Sequence, residues 1–236
     1  MTIRIARVAA LAVTASLCAT APLHAEDRFS LSSWAAGGSD EAYNFGFSLG
    51  YMPGGMDGSG LRWELSALRG AYRYPLGEAP DGEVRGRYAD VGLGIGYAFV
   101  RPGSGFVVSV GPSYSDKSLS YARPGERTGS RVGAKAGYLA YANPAGWPSM
   151  FSFGSYASAD RAGHIYGNLG FGLPYGLSAG PELAYFKTTD YRQTRVGVHL
   201  SGFRIGGLRA GVSIGRSRDM NGHEENQAGV NVYTSF

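Results

Sequence analysis

The chain has one cysteine, Cys18, in 236 residues. An internal disulfide framework is therefore excluded, and so is any zinc site built on several thiolates. No apolar stretch approaches the ~20 residues a spanning helix requires. Charge of one sign is missing as well: 22 Lys and Arg stand against 18 Asp and Glu, a net +4 at pH 7. That near-balance offers nucleic acid no electrostatic footprint, so no such partner is expected. His24, His164, His199 and His223 show no ligand spacing, and neither a metal nor a cofactor is expected. What is abundant is glycine, at 38 residues, and tyrosine, at 16. The mean hydropathy of −0.14 suits strands that are apolar on only one side.

The first 25 residues read as an export signal. Arg4 and Arg7 form a basic start, and Val8 to Leu17 an apolar core too short to span a bilayer. Cleavage is expected after Ala25. Ala21 fits the small-residue rule better, but would leave Pro22 first in the mature chain. Leu17 is a poor neighbour for a lipidated Cys18. No acidic residue precedes Glu26, so losing Arg4 and Arg7 takes +4 to +2. Residues 26–236 are expected to form one domain.

Within that domain the stretch from Ala89 to Val100 is the most informative. Ala89, Val91, Leu93, Ile95, Tyr97 and Phe99 alternate with Asp90, Gly92, Gly94, Gly96 and Ala98. A strand sends successive side chains to opposite faces, so one face is apolar with aromatic tips and the other is glycine around a carboxylate. The same alternation runs through Tyr43 to Met52, Leu61 to Tyr74 and Thr194 to Leu200. The chain also ends on an aromatic residue, Phe236. About twelve such segments predict an antiparallel transmembrane β-barrel in a bacterial outer membrane, with lipid around it. A soluble sandwich or lipocalin-like barrel is the alternative, but glycine-rich strands make poor solvent faces.

Tight Gly/Pro turns (PGGMDGSG, RPGSG, NPAGWPS) roughly alternate with longer charged connections. The polar stretches Pro75 to Arg85, Asp116 to Arg127 and Asp219 to Glu225 read as solvated loops. Pro112, Pro174 and Pro181 are expected to disturb strand pairing. The tyrosines at strand ends, Tyr114, Tyr121, Tyr138, Tyr141, Tyr156, Tyr166, Tyr175, Tyr185 and Tyr191, read as an interfacial belt, with a sugar-stacking surface as the other possibility.

If lipid lies outside, Glu64, Asp90, Lys135, Glu182, Arg195, His199 and Arg209 face the lumen. Such charges must be paired or hydrated. They can form a salt-bridge lattice that fixes strand register, or line a channel that hydrogen-bonds sugar hydroxyls; the pattern allows both. His199-Leu200-Ser201 resembles the catalytic strand of outer-membrane lipid A deacylases. The stretch Gly211 to Ser213, where a carboxylate would have to orient the histidine, holds neither Asp nor Glu. No catalytic residue is expected.

Two longer stretches carry a family resemblance. Residues 32–64 contain Trp34, a Tyr–Phe–Gly strand and an Asp57-Gly58 turn before Arg62. Residues 180–215 contain Gly180-Pro181-Glu182, then Tyr191 to Arg195, Gly197 and Gly202. Together they resemble the BcsS family of bacterial cellulose-biosynthesis proteins. The resemblance implies an exported outer-membrane barrel that assists export or surface organisation of a cellulose-type exopolysaccharide. Cellulose or other parts of its secretion system would then be partners. A structural or adhesive barrel with a filled lumen is the alternative. The resemblance transfers no catalytic residue.

Overall fold

The computed structural model describes residues 27–38, 42–126, 128–145, 147–189 and 191–236. The expected leader, with Cys18, lies outside the described residues, as does Arg127. Twelve strands follow: β1 (Phe29–Gly38), β2 (Tyr43–Tyr51), β3 (Gly60–Pro75), β4 (Glu83–Arg101), β5 (Ser104–Leu119), β6 (Gly129–Ala142), β7 (Ser149–Ala157), β8 (Ala162–Gly172), β9 (Ser178–Lys187), β10 (Arg192–Ile205), β11 (Leu208–Asp219) and β12 (Glu224–Ser235). Each pairs antiparallel with its chain neighbours, and β1 closes on β12 to make a barrel. An even number of strands brings residue 29 and residue 235 to one end, called here the terminal end; the other is the far end.

The alternation of β4 sets the wall. Val91, Leu93, Ile95, Tyr97 and Phe99 face outward and are exposed, Leu93 by 60%. Gly92 and Ala98 face inward and are buried. From Ala89 to Phe99 there are ten residue steps. At about 3.3 Å each, on a strand tilted about 40°, they rise about 25 Å, the height of the apolar band of a membrane barrel. Outward Val110, Val132, Val196 and Ile214 continue the apolar band on other strands. Among the described residues no helix is long and apolar enough to cross a membrane.

The connections sort by chemistry according to end. PGGMDGSG, RPGSG and NPAGWPS all turn at the terminal end, while the charged connections after β3 (76–82) and after β5 (from residue 120) and the polar one at 220–223 lie at the far end. Several expected boundaries shift. β4 begins at Glu83 rather than Ala89, because Arg85 and Arg87 lie in strand beyond the apolar band. β5 runs through Lys117, which is buried, and β12 takes in buried Glu225. Asp219, at the end of β11, is buried too. Those polar residues serve the barrel interior rather than bulk solvent. β8 stops at Gly172, since Pro174 opens a 3-10 turn over Pro174–Gly176.

Pro112 and Pro181 stay inside strands, and neither shifts the register. The β4–β5 pairing runs Gly92↔Ser113 and resumes at Ile95↔Val110 on the same register, leaving out Leu93-Gly94 and Gly111-Pro112. The β8–β9 pairing breaks the same way, leaving out Leu169-Gly170 and Gly180-Pro181. Proline cannot donate to the ladder, so two partners are lost on one side only; the other side pairs normally, as Pro112↔Ala134 and Pro181↔Val198. The preceding glycine lets the strands close in there. A Cβ on Gly180 would run into the carbonyl oxygen of Leu169, and one on Gly111 into that of Leu93. Backbone on both sides cannot step aside, so Gly180→Ala is expected to cost about 1–3 kcal/mol through overpacking. The urea midpoint of the barrel refolded in detergent would show it; an unchanged midpoint would mean the strands part freely there.

Candidate functional site: the filled lumen

The inward positions of β3–β6 build one polar network. Lys135 Nζ lies 2.6 Å from Asp90 Oδ1 and donates to Ser66 Oγ at 3.2 Å. Ser115 Oγ donates to Asp90 Oδ2 at 2.8 Å. Lys135 stands on β6, so reaching Ser66 on β3 means crossing β5 and β4. Gly92 clears the path: a Cβ there would sit 3.1 Å from Lys135 Cδ. The period-two alternation thus supplies both the charges and the gap in which they meet.

β8–β11 carry a second network on the opposite wall. Arg195 Nη2 lies 2.8 Å from Glu182 Oε1 and donates to Ser213 Oγ at 3.0 Å. Tyr166 OH donates to Glu182 Oε2 at 2.8 Å and accepts from Asn168 Nδ2 at 3.0 Å. Glu182 and Arg195 are both buried. Arg195 Nε and His199 Nδ1 have no hydrogen-bond partner.

Aromatic rings join opposite walls. Tyr72 on β3 stacks on Tyr191, immediately before β10, with centroids 5.2 Å apart. Tyr88 on β4 stacks on Phe186 of β9 at 6.0 Å. β3 and β10, like β4 and β9, are five strands apart one way round and seven the other, so these rings span the far end of the lumen. Glycine makes room for them: Gly86 faces the Tyr72 ring and Gly70 the Tyr88 ring. Burial, then Asp219, Glu225 and Tyr88, push the Tyr191 phenol further above its usual range, so it stays neutral. A second crossing joins Trp34 on β1 to Phe153 on β7 at 5.7 Å, and Phe153 rests on Tyr166 at 5.3 Å. At the terminal end Met52 and Met56, from the turn after β2, pack with Ala98, Val100, Val107 and Leu139.

Beneath the far-end rings lies a cavity of about 50 Å³, lined by Asp90, Lys117, Lys135, Asp160 and His164 among others. That volume holds a few water molecules and is too small for a pyranose ring. Asp160, in the turn after β7, has a buried Oδ1 without a hydrogen-bond partner. Burial raises its carboxyl above the usual range, while Lys117 and Arg131 pull it the other way.

Of the seven lumenal candidates, Asp90 and Lys135 meet in the first network, and Glu182 and Arg195 in the second. Glu64 lies 3.8 Å from Arg62, whose Nη2 donates to Ser30 Oγ at 3.3 Å. His199 faces inward and is buried beside these groups without joining either network. Arg209 pairs in register with Tyr233 at the terminal rim, where it is exposed rather than buried. Ser201 donates to the carbonyl of Ser178 at 3.4 Å, and neither Ser201 nor a carboxylate bonds His199 Nδ1. Among the described residues no cluster of three or more His, Cys, Asp or Glu is placed to hold a metal.

The tyrosine belt needs correction at three members, one of them Tyr141, whose ring lies over the inward Gly105 at the terminal end. Tyr166 turns inward to Glu182, and Tyr191 is buried over the lumen; Tyr114 and Tyr156 do face outward and are exposed. The residues that fill the lumen include Met52, Tyr72, Tyr88, Phe153 and Phe186, which no sequence motif marks, and Trp34, which the sequence marks only through the family resemblance. The one local sign of them is glycine opposite an inward ring, Gly70↔Tyr88 and Gly86↔Tyr72, which needs the strand register to be recognised.

Solved barrels share this wall. The COG4313 outer membrane channel from Pseudomonas putida F1 is 14% identical with a TM-score of 0.52, over 91% of this chain and 97% of that one. A TodX deltaS2S3 mutant monoaromatic hydrocarbon channel is 10% identical with a TM-score of 0.51, over 89% and 91%. LpxR from Salmonella typhimurium is 12% identical with a TM-score of 0.47, over 88% and 100%. At such identities the likeness concerns the fold of an outer-membrane barrel. None of the curated proteins compared with the chain matches it. The sequence profile described as "Cellulose biosynthesis protein BcsS" matches residues 32–236, from β1 to the last residue, taking in both resembling stretches and the whole intervening wall, and so this chain belongs to the BcsS family of cellulose biosynthesis.

Proposed function

We propose that the protein is a non-enzymatic outer-membrane barrel that organises a cellulose-type polysaccharide at the cell surface from its rims, without passing the glucan chain through its lumen. The family supplies the pathway. The observation that carries the rest is the crossing of the lumen by Tyr72–Tyr191, Tyr88–Phe186 and Trp34–Phe153. A glucan chain needs a continuous open bore, and rings from opposite walls are in contact across this one. The apolar outer band supports insertion in lipid. An exposed edge would invite aggregation, and full closure removes it. The lumenal ion pairs, each extended by hydroxyls from neighbouring strands, serve as local braces that hold register.

Deleting the gene in a cellulose-producing strain tests this. Cellulose is expected to be synthesised in near-normal amount but with altered attachment or fibre texture, restored by the wild-type gene. Loss of secreted cellulose with polymer trapped in the periplasm would instead point to conduction. Unchanged yield, location and texture would remove the proposal.

A further inference from the structure

Charge on the outer wall is distributed unevenly between the two ends. At the terminal end, Arg101 is the one outward basic residue on the described strands, judged by the alternation of each strand. The far end carries two outward basic groups above the apolar band. One is Arg69 and Arg73 on β3 with Arg85 and Arg87 on β4; the other is Lys187, Arg192, Arg216 and Arg218 on β9–β11.

The β3–β4 group is the denser. Register places Arg73 directly opposite Arg85, and Arg87 opposite Ala71, with Arg69 one outward step lower. Like charges directly opposite one another destabilise a strand pair unless an anion lies between them. Glu83 partly fills that role: Oε2 lies 3.4 Å from Arg73 Nε and Oε1 lies 2.7 Å from Arg85 Nη2. Asp116 faces the same side from β5 and accepts from Ser130 Oγ at 2.8 Å. Arg69 and Arg87 are exposed and, among the described residues, have no ion-pair or hydrogen-bond partner. Ala67, Val91 and Ala89 lie immediately below them, so the two guanidinium groups stand where hydrocarbon gives way to headgroups. Guanidinium forks bind phosphate oxygens two at a time. Clusters of basic residues just beyond a hydrophobic span read as sites for anionic lipid.

We propose that the outer face of β3 and β4 at the far end binds the phosphate groups of a phosphorylated outer-leaflet glycolipid, with Arg69 and Arg87 as the contact residues. Glu83 holds Arg73 and Arg85 in place beside them. The inference rests on the membrane placement proposed above, and it fixes the orientation: the far end lies in the outer leaflet and both described ends of the chain face the periplasm.

The test uses the mature protein in non-ionic micelles, titrated with bisphosphorylated lipid A, the same lipid after phosphatase treatment, and inorganic phosphate. Saturable binding of the phosphorylated lipid is expected, weakened about 30-fold in R69Q/R87Q from about 1 kcal/mol per basic residue. R101Q, at the other rim, should bind as the wild type does. Heat-modifiable migration of each variant checks that the barrel is closed. Equal binding by R69Q/R87Q, or by the dephosphorylated lipid, would overturn the site. Inorganic phosphate binding as tightly as the lipid would overturn the headgroup assignment in favour of a free-anion site. A protein that stays monodisperse without detergent would remove the membrane placement itself. A protein that needs micelles yet ignores the phosphorylated lipid would remove this site alone.

Discussion

Replacing Tyr72, Tyr88, Phe153, Phe186 and Tyr191 together by alanine is expected to turn a barrel that carries no resolvable ion current in planar bilayers into one with stepwise conductance. Each of these rings fills lumenal space that the wall does not. A twelve-stranded barrel is wider than the eight-stranded kind whose interior side chains just fill it, so its bore closes only where large residues reach across. Here the reach is made at Tyr72–Tyr191, Tyr88–Phe186 and Trp34–Phe153, with centroids 5.2–6.0 Å apart. Obstructions along one bore act in series, so removing the far-end rings alone should give less current than removing Phe153 as well. Met52 and Met56 pack over the β4–β6 side, which leaves the β8–β11 side for ions. The outer wall is untouched by these changes, so the variant should insert and migrate as a folded barrel. Current through the wild type would show that the rings part readily, and the conduction reading would return. A folded five-residue variant that stayed silent would mean the polar networks close the bore without the rings.

The wall was legible in the sequence, and its contents were not. Val91 to Phe99 announces itself because lipid on one side and close-packed glycine on the other demand opposite residue types at alternate positions. The ends of strands are harder to place. Arg85 and Arg87 look like loop residues, yet they lie in β4, because above the hydrocarbon an outward strand position carries charge without cost. Lys117, Asp219 and Glu225 look solvated for a related reason: a polar barrel interior selects the residue types that water does, and burial cannot be told from hydration by type. The candidate charges could be assigned to the lumen from alternation, but not to partners. Lys135 finds Ser66 across two intervening strands, and Tyr72 finds Tyr191 across the bore. No local pattern encodes contacts between residues so far apart in the chain. Tyrosine adds its own ambiguity, since the headgroup region and the lumen both accept an apolar ring with a polar tip.

Glu182→Ala is expected to cost about 3–5 kcal/mol, the usual loss when one partner of a buried ion pair is removed. The carboxylate is almost fully buried, and it serves two groups at once, Arg195 at 2.8 Å and the Tyr166 hydroxyl at 2.8 Å. Its loss would leave Arg195 with its hydrogen bond to Ser213 and with Nε still unpartnered. The Lys135–Asp90 pair should tolerate Asp90→Ala better. Its side chains retain 17% and 13% exposure, against 10% and 1% for Arg195 and Glu182, so water can take up more of the freed charge. Removing both charges at once is a different operation. E182L/R195M deletes the pair and its desolvation cost together, and should fall within about 1–2 kcal/mol of the wild type. Urea midpoints of the barrel refolded into lipid vesicles, at unchanged slope, separate these cases. A loss below about 1 kcal/mol in Glu182→Ala would mean that the freed Arg195 is hydrated. The lumen would then admit water freely on the β8–β11 side. If E182L/R195M instead lost as much as Glu182→Ala, shape rather than charge would be what that wall selects.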